Sequence, residues 1–101
     1  HFFFFFTAKS VARIEAHYCI HDGFFCDHQL LYFVSSIAHL PGSIIHGRYD
    51  MICPLEQAFA LHKVWSNADF KVIPACGHAA SESLIQQALV EATDALLEKL
   101  A

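Results

Sequence analysis

From Ser43 onward the chain shows a single order of hydrophobic patterns, and that order limits the fold more than any other feature. "SIIHGRY" is a short run of β-branched and aromatic residues, entered through Pro41-Gly42 and left through Asp50. That is the signature of a buried strand. Pro54 then suits the first turn of a helix, and Leu55, Ala58, Phe59, His62 and Trp65 follow on one helical face. Asn67-Ala68-Asp69 ends the helix, and "FKVIPA" reads as a second strand. A long amphipathic helix closes the chain, with Ile85, Leu89, Ala92, Leu96 and Leu100 as its stripe. Ser83 and Gln86 have the spacing of a capping box at its start. Strand, helix, strand, helix is a βαβα unit, so the fold class is α/β with parallel strands.

The first forty residues read differently. Residues 7–20 carry Val11, Ile14 and Tyr18 at helical spacing, with Arg13, Glu15 and His17 off that stripe. Asp22-Gly23 marks a turn. "QLLYFVSSIAHL" reads as a second helix, stopped by Pro41-Gly42. The opening run of five Phe suits neither one helix face nor an alternating strand, so a buried segment or an irregular terminus is expected there.

Composition explains why this arrangement needs company. Hydrophobic residues make up 55% of the 101 and charged ones only 16%. A domain of this length buries roughly 60–70% of its unfolded surface. So apolar a chain is expected to rest against further protein, either the remainder of a larger domain or an oligomer partner. The six Lys and Arg are scattered, so no basic stripe points to nucleic acid. No apolar run approaches the ~20 residues of a membrane span, and the N-terminus lacks the marks of a signal peptide. A cytoplasmic protein is expected, with Cys19, Cys26, Cys53 and Cys76 as reduced thiols acting as small buried hydrophobes.

In open α/β sheets, function gathers at the carboxyl ends of the strands. Asp50 and His78 both fall there. A His acting as general base needs a carboxylate to fix its tautomer and steady the imidazolium. Nucleophile, then Asp or Glu, then His is the order of the α/β-hydrolase triad, and Asp50 followed by His78 fits its last two places. No G-x-S-x-G nucleophile elbow occurs among these residues.

Three segments, "ARIEAHYCIHDGFF", "IAHLPGSIIHGRYDMICPLEQAFALHKVW" and "IPACGHAASE", together resemble the C-terminal part of the proline iminopeptidases. These are serine peptidases of the α/β-hydrolase fold. The resemblance runs from about Val11 to the C-terminus and leaves residues 1–10 unplaced. It implies that residues 1–40 are the end of a helical cap and that residues 41–101 are the C-terminal βαβα part of the hydrolase core. It implies an enzyme that releases N-terminal proline from peptides without a cofactor. Asp50 becomes the triad acid and His78 the base, while the nucleophilic Ser lies upstream. Glu15, within "ARIE-x-HY", becomes a carboxylate that binds the substrate's free amine. The chain departs from the family pattern at Ala16 and Cys19, where Asn and an aromatic are usual. The aromatic helps to wall the proline pocket, so Cys19 implies either a looser pocket or an altered register.

Three other readings stay open from the residues alone. One is a non-catalytic fragment or pseudoenzyme of the same fold. Another is a different α/β-hydrolase, such as an esterase or epoxide hydrolase, although its substrate would give Glu15 no ammonium to bind. The third is a metal site among His17, Cys19, His21, Cys26 and His28, whose spacing is not that of paired zinc ligands.

Overall fold

The computed structural model describes residues 2–101, with side chains from Phe4 onward; His1 lies outside the described residues. The chain divides into two compact units, residues 1–30 and 31–101.

In the first unit one helix, α1 (Phe2–Ile20), takes in the phenylalanine run. The expectation of a buried or irregular segment there is corrected: Phe4, Phe5 and Phe6 are helical and exposed. Phe is only a middling helix former, but nothing in its geometry forbids a helix. Val11, Ile14 and Tyr18 are exposed as well. After α1 the chain turns at Asp22–Phe24, where Asp22, Gly23 and Phe24 all have positive φ. This turn folds back onto the helix end through rings. His21 stacks on Phe24 with centroids 4.9 Å apart, and Tyr18 meets Phe24 edge-on at 5.6 Å. His17 packs beside both His21 and Phe24. Two of the five candidate metal ligands are thus engaged in ring packing, and no cluster suited to a metal occurs among the described residues.

The predicted second helix is shorter than expected. Only α2 (Gln29–Phe33) is α-helical; a single 3-10 turn at Val34–Ser36 and further turns lead to Leu40. Two serines in this stretch compete for backbone hydrogen bonds and favour turns over helix interior.

The second unit holds the predicted βαβα order: β1 (Gly42–Gly47), α3 (Leu55–Val64), β2 (Ala68–Ile73) and α4 (Ser83–Leu100). The strands pair in parallel, with Gly42 opposite Ala68 and Gly47 opposite Ile73. β2 starts two residues earlier than its sequence suggested, because Ala68 and Asp69 already pair with β1. Alternation sends successive side chains to opposite faces. Ile44, Ala68 and Phe70 meet Ala58, Leu55, Leu61 and Trp65 of the α3 layer. Ile45 and Ile73 meet Ile85 and Ala88 of α4, together with Cys76. Helices therefore cover both faces of the sheet, as parallel strands require.

Two details of α4 differ from the sequence reading. Its buried residues are Ile85 and Ala88, with Ala92 and Leu96 half-buried, while Leu89 and Leu100 are exposed. Small Ala88 lets the helix lie close to Ile73, which turns the larger Leu89 outward. The capping box also does not form. Glu82 is the N-cap, Ser83 is already helical, and no side chain caps the helix.

Glycine is required at both ends of β1. A Cβ on Gly42 would lie 2.4 Å from the Trp65 ring, which is held in place by its indole N–H donating to the Leu40 carbonyl at 3.1 Å. A Cβ on Gly47 would lie 2.0 Å from the Gly77 carbonyl oxygen. The second contact brings the exit of β1 directly against the loop that carries His78.

Candidate active site

Both strands end in loops that are folded onto each other by backbone hydrogen bonds. The Arg48 N–H donates to the Ile73 carbonyl at 3.0 Å, and the Tyr49 N–H to the Cys76 carbonyl at 2.8 Å. Beyond β2 the chain reverses at Pro74 and Ala75, the latter with φ of 60°. A left-handed Ala costs on the order of 1–2 kcal/mol. The reversal brings Cys76 and Gly77 back to the exit of β1.

Asp50 leaves β1 one turn later and is almost fully enclosed, its side chain only 6% exposed. Its Oδ1 accepts the N–H groups of Ile52 at 3.0 Å and Cys53 at 2.8 Å. This local turn is typical of Asp, which accepts from backbone two or three residues on. His46 braces the same turn. Its Nε2 donates to the Cys53 carbonyl at 2.8 Å and lies 3.7 Å from Asp50 Oδ2.

His78 faces the carboxylate with Nδ1 at 3.1 and 3.0 Å from the two oxygens of Asp50. Burial pushes the Asp50 carboxyl up. The N–H of Cys53, the His78 ring and the N–H of Ile52 outweigh it, and its pKa falls below the ordinary carboxylate value. An ionised carboxylate only accepts hydrogen bonds, so Nδ1 carries the proton. In the neutral ring Nε2 is then left with its lone pair, on a side chain 49% exposed. The arrangement is a buried anion orienting an accessible imidazole base.

The lowered pKa has a consequence in acid. The unfolded carboxyl titrates near pH 4. Stability contributed by Asp50 is therefore present above that pH and lost as the pH falls through the lower folded value. Acid unfolding of the full-length protein, followed by circular dichroism, should be steeper for the wild type than for Asp50→Asn below about pH 4. Identical acid profiles would show that Asp50 gains nothing from its partners.

The structure thus joins Asp50 to His78. Glu15 is carried by the first unit, exposed on α1. Of the cysteines only Cys76 is buried; Cys19, Cys26 and Cys53 are exposed, which corrects the expectation of four buried thiols, and all four are free. Sequence reasoning missed Gly47, His46 and Glu82. Glu82 Oε1 accepts the Gly77 N–H at 2.8 Å. An acid four residues beyond a candidate base was the available signal for it. A hollow beside α4, lined by Ser43, Ile45, Lys71, Ala88 and Glu91, includes neither Asp50 nor His78.

No family model matches the chain. Curated relatives do. It is 50% identical over 91 residues to a proline iminopeptidase of Xylella fastidiosa (strain 9a5c), covering 89% of this chain and 29% of the relative. Identity to the Xanthomonas citri proline iminopeptidase is 50% over 88 residues, covering 86% and 28%. This chain is similar to the C-terminal part of proline iminopeptidases. The Arabidopsis thaliana proline iminopeptidase extends the likeness to a plant, at 44% over 84 residues, 82% of this chain and 22% of the relative. The chain thus spans less than a third of the length of the proline iminopeptidases it matches here. No helix among the described residues is long and apolar enough to cross a membrane.

Proposed function

We propose that the protein carrying this sequence is a serine-type aminopeptidase of the α/β-hydrolase fold, releasing N-terminal proline from peptides. The observation that carries the reading is the Asp50–His78 pair, oriented through Nδ1 at the ends of two parallel strands. Similarity to proline iminopeptidases supports the substrate class. In this reading Asp50 is the triad acid and His78 the general base. Nε2 of His78 takes the proton of a Ser hydroxyl contributed by a segment outside these 101 residues. The Ser oxygen attacks the prolyl carbonyl, and the imidazolium returns the proton to the leaving amine. Water, activated by the same Nε2, then releases proline from the acyl-enzyme.

Residues 1–40 serve as the end of a helical cap and residues 41–101 as the last part of the core. Glu15 receives the substrate ammonium. The chemistry calls for no cofactor, no nucleic acid and no membrane, and the location is cytoplasmic. Exposed apolar residues such as Phe5, Ile14, Val90 and Leu97 are covered by the rest of the hydrolase domain or by an oligomer partner.

The test compares three substrates on the full-length protein. Proline arylamide should be cleaved, and N-acetylproline arylamide, which lacks the ammonium, should be cleaved at least about tenfold less well. Hydrolysis of a small neutral ester with no cleavage of proline arylamide would replace the peptidase reading with an esterase.

A further inference from the structure

We propose that Glu82 is a positioning residue for the Asp50–His78 pair, acting through the peptide unit between Cys76 and Gly77. This rests on the triad roles proposed above. The carbonyl of that unit accepts from the Tyr49 N–H at 2.8 Å, one residue before Asp50. Its N–H donates to Glu82 Oε1 at 2.8 Å, one residue before His78. A single rigid plane is therefore held from both sides, by the acid's loop and by the first residue of the α4 boundary. Rotation of this plane moves Gly77 and with it the His78 backbone, because a peptide unit turns as one body.

The surroundings favour this role over helix capping. Glu82 is the N-cap of α4, yet its side chain makes no bond to that helix. It reaches back instead, across a turn closed by the Glu82 N–H donating to the Ala79 carbonyl at 3.1 Å. Gly77 lies between this carboxylate and the Tyr49 carbonyl: a Cβ there would come 3.3 Å from Glu82 Oε1 and 3.8 Å from the Tyr49 oxygen. Burial, and then the charge of Glu82 beside it, raise the pKa of the Cys76 thiol, so the carboxylate stands next to a neutral neighbour. Glu82 has no part in proton transfer; it fixes where the base stands.

Three variants of the full-length protein separate reach from charge. Glu82→Asp keeps the charge, but its carboxylate is about 1.5 Å shorter in reach. Glu82→Gln keeps the length and an acceptor oxygen without the charge, and Glu82→Ala keeps neither. Misplacing a catalytic group by about 1 Å can cost on the order of 100-fold. On proline arylamide the Asp and Ala variants should lose about 10- to 100-fold in kcat with KM changed less than about threefold. The Gln variant should recover to within about fivefold of wild type. In parallel, proton NMR follows the low-field Nδ1 proton of His78, identified by its loss in His78→Ala. It should persist in Glu82→Gln and broaden or vanish in Glu82→Asp. Near-normal kcat and an intact resonance in Glu82→Asp would overturn the proposal, as would a Gln variant as impaired as the Asp one. Should the wild type cleave no proline substrate, the proposed function fails, and the NMR comparison of Asp with Gln still decides the positioning role.

Discussion

Asp50→Asn in the full-length protein should lower kcat on proline arylamide about 10⁴-fold while leaving the fold intact. The reason lies in the partners of the carboxylate. Oδ1 is committed to the N–H groups of Ile52 and Cys53. An Asn keeps its amide oxygen there and turns its NH₂ toward His78. The NH₂ donates, so Nδ1 of the ring must accept. The ring proton then moves to Nε2, and the lone pair needed for the reaction is gone. His78→Ala removes the base itself and should cost a similar factor. Residues that act as a unit are not additive, so the double variant should be little worse than either single one. Steady-state kinetics on the three proteins decide the matter. Near-normal turnover in either single variant would end the triad assignment.

Glu15→Gln should cost about 10- to 150-fold in kcat/KM on substrates with a free N-terminus. A hydrogen bond to a charged group is worth about 1.5–3 kcal/mol, and Gln retains the shape but not the charge. Hydrolysis of a small neutral ester presents no ammonium and should change little. The ratio of the two losses is the measurement. Equal losses on peptide and ester would make Glu15 a structural residue, and the aminopeptidase reading would then lose the part that distinguishes it from other hydrolases.

Much of the second unit was legible in the sequence because its signals are strong and local. Pro41-Gly42 and Pro54 mark boundaries, and Ile44 and Ile45 at the centre of β1 feed the two faces of the sheet. The Asp50 and His78 positions followed from the same boundaries, since both fall in the loop just beyond the carboxyl end of a strand. What escaped depends on distance rather than periodicity. α4 carries Leu84, Leu89, Val90 and Leu97 besides its true inner face, so hydrophobicity alone could not choose its rotation; close approach at Ala88 did. Ser83 and Gln86 have the capping spacing, but the helix begins one residue too early to use it. The spacing from His78 marked Glu82 but not its partner, because the Gly77 N–H is a backbone group that no side-chain pattern reveals. The phenylalanine run misled because a uniform run has no period.

The glycines at the two ends of β1 make the sheet register a ruler for the Asp50–His78 pair. Sliding one strand by a single residue would turn every side chain to the opposite face. Sliding by two would preserve the faces, and hydrophobic alternation alone would tolerate it. That slip shifts one strand end past the other by about 6.6 Å, more than twice the 3.0 Å between His78 Nδ1 and Asp50. It would also drive Ile45 or Tyr49 into the space beside the Gly77 carbonyl, where not even a Cβ fits, and Ile44 or Leu40 into the Trp65 ring. The places that admit only hydrogen at Cα thus reject the one misalignment that oil-and-water patterning would accept, and the acid and the base are delivered to the same height each time the chain folds.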